Sequence, residues 1–142
     1  MKLAEALQEK SRLKKKIYAL RGNLEQTAPA KAKPDGSPKK LLRELNESLD
    51  RMEYLSAAIQ HTNELIKVNG RTVTQWISGR DILFYRLELY KELLRQADDA
   101  ENRSPADLNL SELQAETDRM LWEIRHLDNL IQKTNWTKDL IE

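Results

Sequence analysis

Arg80 is the residue of this chain with the most chemistry to offer. It lies in residues 69–94, NGRTVTQWISGRDILFYRLELYKELL, at a position where helical spacing calls for an apolar side chain. A guanidinium on an apolar stripe has five donors in a rigid fork and needs a carboxylate to satisfy them. Asp81 is its neighbour, and Asp128 is the carboxylate that a returning helix would bring to the same height. If the helices run up, down, up, down, Asn63, Gln132 and Asn135 fall toward the same end. Such a polar cluster either fixes register and oligomeric state in a helical core or holds a small molecule or anion. No nucleophile stands beside a general acid–base pair, so the sequence reads as a non-enzyme with no catalytic residues.

The remaining chemical signals are thinner. Glu123-x-x-His126 has the spacing of a di-iron helical site, which needs two such motifs and a glutamate from each of two other helices. One copy is present, and His61 precedes Glu64 in the reverse order, so both histidines read as surface residues and no metal or cofactor is expected. The chain has no cysteine, which excludes disulfides and thiolate chemistry. Glycines 22, 70 and 79 are isolated and form no phosphate-binding loop. Gly79 inside a helical pattern costs about 1 kcal/mol relative to alanine and admits a close neighbour. Residues 10–21, with five Lys or Arg before Arg21 and with Tyr18, make a modest basic face without a nucleic-acid motif, so no nucleic-acid partner is expected.

These residues need helices to position them, and the composition supplies helices. Charged residues are 33% and apolar residues 39%, with four Gly and four Pro in 142 residues. Residues 1–43 hold twelve Lys or Arg against four Asp or Glu; with +1 overall, the rest of the chain carries −7. A basic first helix beside acidic partners accounts for this asymmetry. Four helices are predicted, at about 2–26, 38–68, 72–100 and 110–134, in one antiparallel up-down four-helix bundle, with a flexible loop over 27–37. Helix one has Leu3, Ala6, Leu13, Ile17, Leu20 and Leu24 on its seam, with Lys10 interrupting. Helix two has Leu42, Leu45, Leu49, Met52, Ser56, Ile59 and Ile66, widened by Leu41 and Leu55, with Asn63 as the polar exception. Ser37-Pro38 suits its start, and Asn69-Gly70 suits a C-terminal cap.

Helix three, capped by Thr72 or Thr74, has Val73, Trp76, Arg80, Leu83, Leu87 and Tyr90 on its seam, continued by Leu94 and Ala97. Helix four has Leu113, Thr117, Met120, Ile124, Leu127 and Ile131, then an interruption at 135–137, after which Leu140 and Ile141 pack back. A bundle helix normally has one apolar stripe and one wet face. Helix three has more: Ile77, Ile82, Phe84, Tyr85, Leu89 and Leu93 lie beside or opposite its seam. The economical explanation is a second buried surface against another copy, a homo-oligomer. The first residues lack the apolar core of a secretory signal, and no run approaches the roughly 18 apolar residues of a membrane span, so a cytoplasmic protein is expected.

Taken together, the opening MKLAEAL, HTN at 61–63, NGRTVTQWISGRDIL at 69–83, NRS at 102–104 and LDNLIQKTNW at 127–136 resemble the bacterial DIP1984 family. The resemblance covers essentially the whole chain. It implies a compact all-helical protein that self-associates, of unestablished biochemical role, and the septicolysin label often attached to members implies a pore-forming, membrane-active toxin. It also picks out Asn63, Arg80, Asp81, Asp128, Gln132, Asn135 and Trp136, without assigning them chemistry. Between helices one and two the chain departs from the family, with basic AKAKPDGSPKK where the family is usually acidic.

Overall fold

The computed structural model describes residues 1–27, 37–99 and 109–142. The expected loop over 27–37, apart from its two end residues, and the NRS stretch at 102–104 lie outside the described residues. Among the described residues there are four long helices: α1 (Leu3–Thr27), α2 (Pro38–Leu65), α3 (Val73–Asp99) and α4 (Leu110–Thr137). A two-residue hairpin, β1 (Lys67–Val68) and β2 (Arg71–Thr72), separates α2 from α3. The fold class is all-α, as the helical periodicity predicts. No described helix is long and apolar enough to cross a membrane.

The chain divides into two compact units, residues 1–65 with 135–142, and residues 66–134. In the first, α1 and α2 pack around Leu3, Ala6, Leu55, Ala58, Ile59 and Leu140, with Leu13 against them. Ala4, Ala6, Ser48 and Ala58 are all buried; side chains this small let helices approach closely. Ser37 starts α2 as expected: its hydroxyl accepts from the Lys40 amide at 3.2 Å, and Pro38 takes the first helical position.

The buried stripe of α2 lies along one edge of the expected seam, taking in Ile59 of the seam and Leu55 beside it. Ser48, Leu55, Ile59 and Thr62 are inside, while Leu42 and Leu49 are exposed and Ser56 and Asn63 are half-buried. Close packing selects the small side chains, which a hydrophobicity pattern passes over. The C-terminal residues then seal this unit. Leu3 donates to the Lys138 carbonyl at 2.9 Å, and Leu140 donates to the Met1 carbonyl at 2.8 Å. Lys2 pairs with Asp139 in one antiparallel bridge, and their charged groups meet at 2.8 Å.

In the second unit, Leu87, Met120 and Ile124 form the core, with Leu83, Tyr90 and Leu121 packed against them. The seams expected for α3 and α4 are the faces that are buried or half-buried. Asn69-Gly70 serves differently from the expected helix cap. Helix α2 stops at Leu65, and Asn69 (φ 50°) and Gly70 (φ 80°) form the two-residue turn of the hairpin, with Val68 opposite Arg71. Positive φ at both central residues is the mark of a type I′ turn, whose twist matches that of paired strands. The left-handed conformation is as the sequence predicts; its use is not.

Candidate functional site

The hairpin and the first turn of α3 hold one another in place. The Thr72 hydroxyl accepts from the Gln75 amide at 3.1 Å, and the Gln75 side chain accepts from the Thr72 amide at 2.9 Å. This reciprocal pair is a capping box, which satisfies two donors that a helix start leaves free. The Val73 amide donates to the Ile66 carbonyl at 3.0 Å. The Trp76 indole N–H reaches back to the Val68 carbonyl at 2.8 Å, which fixes the ring against the hairpin. Arg71, opposite Val68, lays its guanidinium over that ring at 5.3 Å.

One turn further along α3, Arg80 makes the pairing expected of it. Its Nη1 donates to Asp128 Oδ1 at 3.1 Å, joining α3 to α4. Its Nε and Nη2 both reach Asp81 Oδ1, each at 3.4 Å. The Arg80 side chain is 28% exposed, so the guanidinium is half-buried and not sealed in a core. Water therefore shares its solvation, which lowers what the pair contributes.

Of the other expected cluster members, Gln132 belongs to this unit and is exposed. Asn63, Asn135 and Trp136 belong to the first unit, where Asn63 and Asn135 are half-buried and Trp136 is exposed. Asn63 Oδ1 is buried without a hydrogen-bond partner. The polar residue that does structural work beside it is Thr62, fully buried, whose hydroxyl bonds both Ala58 and Ile141. Its signal in the sequence is a small β-branched residue with a hydroxyl, one step off the pattern that a leucine count favours.

Two lobes of one cleft open beside Trp76 in the second unit. The first, about 340 Å3, is lined by Arg71, Gly79, Ile82, Leu83 and Arg86. The second, about 560 Å3, is lined by Trp122, His126, Asn129 and Leu130. Trp76, Glu123 and Leu127 line both. Trp122 stacks on His126, four residues on, with ring centroids 4.5 Å apart and planes 20° from parallel. Among the described residues, no three His, Asp or Glu come together as a metal ion would require.

A family profile, described as a family of unknown function (DUF6847), matches residues 10–140. The chain belongs to that family. The DUF6847 match takes in both the Arg80 pairing and the cleft. The chain is also similar to a crystal structure described as a functionally unknown conserved protein from Corynebacterium diphtheriae. The two share 30% identity and a TM-score of 0.88, over 99% of each chain. Among curated proteins none matches.

Proposed function

We propose that this protein is a structural or interaction protein of the cytoplasm, without catalysis of its own, that assembles with itself through α3. The observation that carries the reading is the outer face of that helix. Ile82, Tyr85, Leu89 and Leu93 follow three- and four-residue steps, and their exposures are 59, 64, 49 and 42%. Phe84 is equally exposed but lies off that stripe, and Ile77 is half-buried. Monomeric proteins rarely leave a continuous apolar stripe in water, and a stripe with helical spacing fits the same stripe on a second copy. In this reading Arg80, Asp81 and Asp128 set the register of α3 on α4 and so the presentation of the stripe. The resemblance to the DIP1984 family supports the same assignment.

The test is absolute mass by light scattering after size exclusion, over a range of protein concentration. A stable multimer that Leu89→Asp converts to a folded monomer supports the proposal, because Leu89 stands outside the core of its own chain. A wild-type monomer at every concentration overturns it. Dye release from anionic liposomes at micromolar protein would favour the membrane-active role that the septicolysin label implies.

A further inference from the structure

We propose that the cleft beside Trp76 is a binding site for a flat aromatic anion with the size and charge of a nucleoside monophosphate. Four observations converge on it. First, Arg71 and Arg86 line one lobe, and neither has a carboxylate partner among the described residues. Two guanidiniums match a dianionic phosphate in charge and in bidentate geometry. Arg71 is also held ready, since the hairpin register and the Trp76 ring fix its position.

Second, aromatic surface lies where a ring would go. The Trp76 indole lines both lobes, and the Trp122–His126 stack lines the second. Bases stack on such faces whatever their sequence identity. Third, Glu123 lies between the lobes and Asn129 in the outer one, placed to accept from and donate to a sugar hydroxyl or a ring amine. Fourth, the lobes, about 340 and 560 Å3, have the dimensions of small-molecule sites.

Gly79 gives the cleft a further meaning. Glycine is a poorer helix former than alanine, and Gly79 does not use its conformational freedom, because it has no positive φ. Packing does not require it either: a Cβ added there would meet nothing within 4 Å. Gly79 lines the cleft, so a long side chain there competes for its space. The glycine gives up helix stability and keeps the floor of the cleft low enough for a ligand to approach the α3 backbone.

The experiment is calorimetric titration of the full chain with adenosine 5′-monophosphate, inorganic phosphate and adenosine. Binding of the monophosphate, with phosphate and adenosine each at least about tenfold weaker, is the expected result. Arg86→Met should weaken it by about tenfold or more without changing helicity. Gly79→Leu should abolish it while the chain stays folded, since the leucine fills the lobe and displaces no core group. Absence of binding, equal binding of phosphate alone, or indifference to both substitutions overturns the proposal. Ile82 lines the first lobe and also belongs to the exposed α3 stripe, so the mass of each variant is measured beside its titration: lost binding at unchanged mass is the effect of the cleft itself.

Discussion

The Ile141 amide donates to the Thr62 hydroxyl at 2.8 Å, and that hydroxyl donates to the Ala58 carbonyl at 2.7 Å. One buried oxygen thus ties the end of α2 to residues 79 positions later in the chain. Thr62→Val keeps the shape and removes both bonds, leaving the Ile141 amide without its partner. An unsatisfied buried donor costs about 1–3 kcal/mol. Chemical denaturation should show a loss in that range, with the slope against denaturant unchanged; an unaltered midpoint would remove Thr62 from this role.

Arg80→Met tests the pairing of α3 with α4. The guanidinium is half-buried, so the expected loss of stability is moderate, about 1 kcal/mol. Asp128→Asn should cost a similar amount, and the double variant less than the sum of the two, because both act on one bond. Strict additivity in thermal melts would mean that the pair does not couple.

Two glycine substitutions should shift stability in opposite directions. Gly70 has φ +80°, where a side chain is strained, so Gly70→Ala should destabilise by about 1 kcal/mol or more. Gly79→Ala should stabilise by about 1 kcal/mol, because the helix gains a better former and the new methyl meets nothing. Melting temperatures of the two variants, one below and one above wild type, are the check.

A fourth prediction concerns pH. Arg51 donates two hydrogen bonds to Glu9, at 2.9 and 3.1 Å, and these bonds hold the Glu9 carboxyl below the ordinary carboxylate value. The hydrogen bond from Lys2 does the same for Asp139. A carboxyl whose folded pKa is lowered adds stability above its unfolded value, about 4. That stability is lost as pH falls through the lower folded value. Glu9→Gln should therefore melt slightly below wild type at neutral pH, and the gap should close in acid and narrow at high salt. A gap that stayed constant from neutral pH into acid would assign the effect to packing.

Much of this was legible in the sequence because three helices carry their cores as large apolar residues at regular steps. Leu87, Met120 and Ile124 stand where the spacing puts them, and Arg80 finds Asp128 because helical rise fixes their heights. Helix α2 misled because its buried face is built partly from Ser48, Ala58 and Thr62, residues chosen for size and hydrogen bonding. Asn69-Gly70 is ambiguous locally, since a helix cap and a type I′ turn both need positive φ. The deciding detail is that Thr72 is committed to Gln75, which places the helix start after the second strand. Helix α4 continues through Asn135 and Trp136 to Thr137, past the expected interruption. The cleft was not visible because it depends on Arg71, carried across a turn, meeting residues on two helices.

The first unit is assembled from two segments far apart in the sequence, residues 1–65 and 135–142, and its core depends on both. Leu140 belongs to its core, and Ile141 supplies the amide that Thr62 receives. The second unit is one continuous segment, 66–134, and Leu87, Met120 and Ile124 of its core all lie within it. Loosening of residues 135–142 therefore uncovers the core between α1 and α2, while the core of the continuous segment keeps all of its own residues.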